Sequence, residues 1–393
     1  MIKTRSHKIR LKPTVSQEKK FRCCCGVSRF AYNWGLARWN EQYKNGGKPN
    51  EAALRKELNY LKRDEFPWML DSSKAVVQQA IKNLGRAFVN FFEKRAKYPK
   101  FKKKHNISRQ SARMDNGPGT FEFSGKKVKL PKLGWVSMFE EFRWPEGRPM
   151  SAVLKREGER WFLSVSAEVD IPNKENSENQ AIRCVGIDLG LTSALTLSTG
   201  EKIESPKPLK ANLKKLARLQ RRFSKSVKGS SNREKRRKKL SRAHWRVMQI
   251  RRDWQHKVTS DISKRFKVVC MEDLNVKGML KNHCLARSIS DIGWGELKRQ
   301  LSYKSYVLEV GRFFPSSKTC SDCGAAADHL PLSVREWSCS ACGSVHDRDI
   351  NAAKNILAQA LSTVSCTGID AFGDGGSGCK GDLTVKLSSM NKE

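Results

Sequence analysis

The sequence predicts a multidomain protein that combines an α/β part with an α+β part. Three observations point there. Residues 1–180 run strand, helices, strands. Residues 183–363 alternate short apolar runs with helix-like stretches. Two cysteine knuckles interrupt that alternation between 320 and 342. A chain of 393 residues has room for two to three domains at roughly 150 residues each, and 38% hydrophobic residues are enough to bury a core.

Residues 1–15 alternate weakly (Ile9, Leu11) and meet Pro13, which predicts a short strand. From Gln17 to Arg95 the pattern is helical. Val77, Ile81, Leu84, Phe88 and Phe91 fall on one face, the spacing of a core-facing helix. Cys23, Cys24 and Cys25 are consecutive, so they cannot share a helix face and are expected as packed thiols. The segment KRAKYPKFKKKH (94–105) interleaves Tyr98 and Phe101 with basic residues. That mix suits phosphate contact plus base stacking, and equally a solvated loop. From Phe121 to Val169 the period drops to two around a Gly158-Glu159 turn, which predicts an antiparallel barrel or sheet that continues the first strand. The polar stretch 171–180 is expected as a linker, with a domain boundary near 181.

Residues 183–199 read as two strands joined by a glycine turn. Then 207–257 hold 20 Lys/Arg against Glu234 and Asp253. Leu209, Leu213, Leu216, Leu219 and Phe223 form an apolar stripe there, and turn chemistry falls at Gly229–Asn232. A basic helical hairpin over 207–262 is expected, either a solvated face or a surface that tracks phosphates. KVVCMEDLN (267–275) is an apolar run ending in acids. A helix over 294–306, a strand over 306–315 and an amphipathic helix over about 350–363 follow. The last 28 residues contain six glycines and little apolar periodicity, which predicts a mobile tail.

There are 77 Lys+Arg against 39 Asp+Glu, a net charge of +38. Such an excess repels itself in a compact fold and is relieved beside a polyanion, so nucleic acid is the expected partner. The start, MIKTRSHKIRLKP, lacks the apolar core of a secretory signal. No apolar run approaches the ~18 residues of a membrane span. Twelve cysteines without a signal favour reduced thiols or metal ligands over a disulfide framework. Secreted, membrane and collagen-like classes are thereby set aside, and a cytoplasmic, nucleoid-associated protein is expected.

Cys320-Ser-Asp-Cys323-Gly and Cys339-Ser-Ala-Cys342-Gly are two CxxCG knuckles. Each pair can grip one side of a tetrahedral ion, with glycine allowing the turn after the second thiol. Four thiolates suit Zn2+, and they fill its shell, so the role is structural. His329 and His346 are nearby but surplus.

Asp188 ends the apolar run CysValGlyIle, Glu272 ends ValValCysMet, and Asp349 opens the late helix. Three carboxylates meeting at strand ends could hold two Mg2+ ions for phosphodiester hydrolysis. Each also has a plain alternative: a helix N-terminal charge for Asp349, turn acids for Glu272 and Asp273, a turn former in Asp188.

These segments also occur as a set. SHKIRLKPT (6–14), SRFAYNWGLARW (28–39), GIDLGLTSALTLSTG (186–200), DWQHKVTSDI (253–262), CMEDLNVKGMLKNHCLARSISDIGWG (270–295), YKS (303–305), the two knuckles and HDRDINAAKNI (346–356) resemble TnpB, or OrfB, the RNA-guided nuclease of bacterial insertion sequences. They are similar as well to the compact type V CRISPR effectors related to it. The resemblance covers about 1–365 and leaves out the glycine-rich tail.

It implies a RuvC-like nuclease domain of the RNase H fold over 181–315, with a zinc-binding target-nucleic-acid module inserted at 316–345 and a closing helix at 346–365. It implies an N-terminal β-barrel wedge domain (1–15 and 115–180) interrupted by a helical recognition domain (16–114). The family's acids fall on Asp188, Glu272 and Asp349, with Asp347 the nearest competitor to Asp349. Expected nucleic-acid contacts are Lys74 and Gln78 for the short motif flanking the target, and Lys214, Arg221, Arg222, Arg236 and Arg237 for phosphates. The implied activity is Mg2+-dependent cutting of double-stranded DNA, directed by a guide RNA transcribed from the element, by one protein copy on one RNA. The products would carry a 5′ phosphate and a 3′ hydroxyl. A guide-directed DNA-binding repressor without cleavage and a transposase performing strand transfer are the other two readings.

Overall fold

The computed structural model describes residues 2–104, 110–115, 121–170, 183–331 and 333–367. The expected linker at 171–180 and the tail beyond 367 lie outside them. The chain forms two compact units, 1–176 with 237–242, and 177–236 with 243–393.

In the first unit, β1 (Ile2–Lys12) leads into α1 (Val15–Lys44), followed by α2 (Glu51–Leu61) and α3 (Lys74–Phe92). Thr14 and Gln17 start α1 with a reciprocal capping box, each side chain accepting from the other's backbone N–H at 3.2 and 3.0 Å. The stretch expected to be helical is broken at Gly46-Gly47 and at Pro67. Val77, Ile81, Leu84 and Phe88 are buried as the spacing requires, each contributing ~1.5–3 kcal/mol. Phe91 is half-buried. Cys24 and Cys25 are buried, and burial pushes the Cys25 thiol up to about 12, so both are packed thiols, whereas Cys23 is exposed, against expectation.

The strands β2 (Ser111–Asp115), β3 (Glu122–Ser124), β4 (Lys127–Leu130), β5 (Gly134–Met138), β6 (Arg148–Glu157) and β7 (Arg160–Asp170) join β1 in an antiparallel sheet, order β2-β6-β7-β1-β5-β4-β3. Gly158 and Glu159, both at positive φ, make the β6–β7 turn. β1 pairs with β7 through Ile2–Arg10 and with β5 through Leu11 and Lys12, so it carries both halves of the sheet. The expected barrel is not closed. Among the described residues no pairing joins the outer strands β2 and β3. The edge at β2 is instead covered by α1 and α3, and Gln79 of α3 hydrogen-bonds Asp115 of β2. Helices and sheet share one hydrophobic core.

The second unit is built on β8 (Cys184–Asp188), β9 (Leu195–Leu197), β10 (Lys202–Ile203), β11 (Val268–Glu272) and β12 (Tyr306–Val310), order β10-β9-β8-β11-β12. β8, β11 and β12 are parallel. Buried on both faces, the two central strands are continuously apolar until their last residue. Val269 and Met271 face a core with the short α6 (Val276–Met279), α7 (Ala286–Ile292) and α8 (Trp294–Ser302). Val268 and Cys270 face Ile356 and Ala360 of α9 (Arg348–Thr367). α9 lies so close that a Cβ on Gly186 would sit 2.0 Å from the Ala353 carbonyl oxygen.

The basic hairpin is α4 (Pro208–Ser224) and α5 (Ser231–Arg265), turning at Gly229 with φ +85°. It is anchored by buried Asp291, whose carboxylate accepts the N–H groups of Leu209 and Lys210 (2.9 Å each) and pairs with Arg251 at 3.2 Å. Among the described residues no helix is long and apolar enough to cross a membrane.

Candidate active site and metal centre

Strand register brings the first two acids together. Ile187 pairs with Met271 across the parallel strands β8 and β11, and Asp188 and Glu272 are the next residue on each. They therefore end neighbouring strands ~4.8 Å apart. The third acid comes from α9, which crosses β8 at Gly186–Ala353 and begins one turn earlier, at Arg348 and Asp349.

The electrostatics report the same convergence. The Asp188 carboxyl is pushed from its usual 3.8 up to about 7, first by burial, then by the negative charges of Glu272 and Asp349. The Leu189 N–H and Arg348 oppose the shift without overcoming it. A partly buried acid facing two more acids is a charge surplus that a hard divalent cation would neutralise, so the donor set fits Mg2+.

The acids differ in their neighbours. Asp347 caps α9, accepting from the N–H groups of Asp349 (3.1 Å) and Ile350 (3.0 Å), and pairs with Lys202 at 2.6 Å. Burial raises its pKa, but Lys202 and those N–H groups outweigh burial and hold it below the usual range. Asp273 pairs with Lys298 (3.3 Å) and Arg312 (2.8 Å). Glu272 accepts from the Ser316 hydroxyl at 2.6 Å, and Asp349 pairs with Arg335 at 3.2 Å. Sequence reasoning did not single out Ser316 or Arg335, and neither carries a sequence signal that marks it.

The knuckles form a second centre. Among the described residues the four thiols of Cys320, Cys323, Cys339 and Cys342 are the one set of potential ligands lying within 4.8 Å of one another. The Cys320–Cys342 and Cys323–Cys339 Sγ separations are 3.7 and 3.6 Å. A tetrahedral ion with ~2.3 Å metal–sulfur bonds needs ~3.8 Å edges. Gly324 and Gly343 follow each second thiol at φ +79° and +76°, as the CxxCG pattern requires. The side chain and backbone of Ser344 hold Cys342 down at about 6, while Cys323 is pushed, against the Ala325 N–H, up to about 12 by hydrogen bonds with the neighbouring thiols. His346, surplus by sequence, lies with Nε2 3.0 Å from Cys320 Sγ, and its ring packs near Trp337 on the hairpin of β13 (Glu336–Ser338) and β14 (Val345–Asp347).

The residues expected at nucleic acid divide. Lys74, in the first turn of α3, is exposed and Gln78 half-buried. Lys214, Arg221 and Arg222 are exposed on α4. Arg236 donates to the Arg222 carbonyl (3.1 Å) and Ser226 Oγ (3.0 Å), closing the hairpin, and Arg237 pairs with Glu159 at 2.9 Å. In the 94–105 segment, Tyr98 bonds Asn40 and packs on Phe88 and Phe91, while Phe101 remains exposed.

Fold and site define a mixed α/β protein with an acid-ended parallel sheet and an attached four-cysteine module. Residues 164–283 match the profile of the OrfB_IS605 family, described as "Probable transposase". Residues 294–356 match the Cas12f1-like TNB domain. Residues 1–48 match a helix-turn-helix profile of the same OrfB group, although here they form β1 and one continuous helix.

The chain is 38% identical over 378 residues to a protein of Streptomyces pristinaespiralis named "Putative RNA-guided DNA endonuclease", covering 92% of this chain and 90% of the relative. It is 33% identical over 392 residues to one of Escherichia coli K12 bearing the same name with the suffix InsQ, covering 93% and 94%. The protein belongs to the TnpB/OrfB family, as its motifs led one to expect. Its fold is shared with Cas12f1, solved with its guide RNA and target DNA, at TM-score 0.54 and 16% identity over 90% of this chain and 98% of that one.

Proposed function

We propose that this protein is an RNA-guided DNA endonuclease that hydrolyses phosphodiesters at Asp188, Glu272 and Asp349. The observation that carries the reading is that Asp188 and Glu272 end the neighbouring strands β8 and β11 and that, after burial, the charges of Glu272 and Asp349 push Asp188 up to about 7. The names of the relatives and the shared fold support it. In this reading the second unit is a RuvC-like nuclease domain of the RNase H fold and its knuckles a zinc module. The first unit is a wedge sheet interrupted by a helical recognition domain.

Asp188, Glu272 and Asp349 would hold Mg2+, which supplies an activated water and charge stabilisation at the leaving oxygen. The chain's own residues do the rest. Ser316 commits one oxygen of Glu272 and leaves the other available. Arg335 offsets one negative charge of the trio. Asp188, held up at about 7 by burial and then by Glu272 and Asp349, gives up its proton as pH rises through that value, so it would be ready to hold a cation and cutting should strengthen over that range. Exposed Lys214, Arg221 and Arg222 suit RNA phosphates, while base pairing reads the target and the protein reads only the short flanking motif. One copy per RNA, working in the prokaryotic cytoplasm, completes the proposal.

The test is to sequence the RNA that co-purifies with the full chain and challenge that complex with a plasmid carrying the matching target and Mg2+. Asp188→Asn should abolish cutting and leave guided binding intact. Cutting by the variant, or by RNA-free protein, would contradict the reading.

A further inference from the structure

The loop 316–321 touches both centres of the second unit. At its start, the Ser316 hydroxyl donates to Glu272 Oε1 at 2.6 Å. Near its end stands Cys320, the first thiol of the metal centre. Between them the loop is fastened to α9 by two amides one helical turn apart. Asn355 Nδ2 donates to the carbonyls of Ser316 (2.8 Å) and Thr319 (2.6 Å). Asn351 Nδ2 donates to the Thr319 carbonyl (2.7 Å), and its Oδ1 accepts from the Ser321 N–H (2.9 Å). Asn351 and Asn355 are 1% and 7% exposed, and Ser316 is 4% exposed. These are buried polar groups whose partners are supplied by the loop.

α9 also carries Asp349, so the helix that bears one acid grips the loop that holds another. A carboxylate on a strand end can rotate about its side-chain bonds, and a cation site needs its oxygens preset. A single short hydrogen bond from a clamped, buried hydroxyl removes that freedom at Glu272.

We propose that Ser316 is a positioning residue for Glu272, held in place by the Asn351–Asn355 clamp, so that the knuckle loop presets the nuclease carboxylate. This rests on the reading of Asp188, Glu272 and Asp349 as the cation site. Ser316 fixes Oε1 and leaves Oε2 for the ion. Asn355 acts only through Ser316 and its loop, so the two residues form one chain of influence.

The test is Mn2+ binding to the RNA-free, zinc-loaded full chain, followed by loss of the free-ion signal in electron paramagnetic resonance, with Asp188→Asn as the reference. Ser316→Ala should raise the Mn2+ midpoint about tenfold, the usual effect of losing a hydrogen bond to a metal ligand. Ser316→Thr should restore it. Asn355→Ala should raise it too, and the double variant should bind no worse than the weaker single one. Guided DNA binding and zinc content should not change, and excess Mg2+ should recover cutting by Ser316→Ala. If the alanine variant does not fold, Ser316→Cys keeps the volume and weakens the donor. An unchanged midpoint in the Ser316 variants, with Asp188→Asn abolishing Mn2+ binding, overturns the role of Ser316 and leaves the site reading intact. Mn2+ binding that survives Asp188→Asn overturns the site reading itself.

Discussion

Replacing Asp188 by Asn should make the RNA-free protein more stable above neutral pH while removing its cutting. In the folded chain this carboxyl titrates near 7 rather than 3.8, through burial and then the charges of Glu272 and Asp349. A folded pKa above the unfolded one means that the native state binds the proton more tightly. The stability this gives is whole below about pH 4 and is lost as pH rises through about 7. A shift of about 3 units at 1.36 kcal/mol each is at most about 4 kcal/mol. Asp188 is only partly buried, so water relieves some of that, and about 2 kcal/mol is the working figure. Asn mimics the neutral acid and escapes the loss. Urea unfolding in magnesium-free buffer should show wild type and variant nearly equal at about pH 3.5 and the variant ahead by about 2 kcal/mol at pH 8. Adding Mg2+ at pH 8 should stabilise the wild type and not the variant, since a ligand that binds only the native state adds its binding energy to stability. A variant no more stable than wild type at pH 8, or an advantage of equal size at about pH 3.5, would refute the reasoning.

Two further outcomes follow from the metal centre and the hairpin. Cys320→Ser removes one of four thiols within 4.8 Å of one another, so zinc measured by mass spectrometry should fall well below one ion per chain and the melting temperature should drop. Unchanged zinc would remove the assignment. The triple change Lys214→Ala, Arg221→Ala, Arg222→Ala removes three exposed charges from α4. It should flatten the salt dependence of RNA binding by a slope of about 2–3, and an unaltered slope would take these residues off the RNA.

The two centres differ in how far the sequence exposed them. Knuckle geometry is local: CxxCG fixes the turn, and two such turns bring four thiols together wherever the surrounding chain leads. The acids are non-local. Asp188 and Glu272 meet because β8 and β11 are parallel and in register, and Asp349 joins them because Gly186 lets α9 lie against the sheet. No spacing rule gives that convergence: apolar runs ending in acids and a helix start single out the three, and the family motifs favour them over their plain alternatives. The family motif favours Asp349 over Asp347, and in the structure Asp347 caps α9. The barrel failed for a related reason. Period-two alternation predicts strands but not their closure, and at β2 the open edge is met by α1 and α3. Ser316 carries no sequence signal. Its partners Asn351 and Asn355 did, as two amides one turn apart on a helix whose apolar face is buried.

The central claim is that these three side chains share divalent cations. Anomalous diffraction from Mn2+-soaked crystals of the full chain with its guide RNA and target DNA would test it most directly. Anomalous peaks are expected within ~2–2.5 Å of carboxylate oxygens of Asp188, Glu272 and Asp349, lost in Asp188→Asn. A complex that cuts DNA with no such peak between these residues would contradict it.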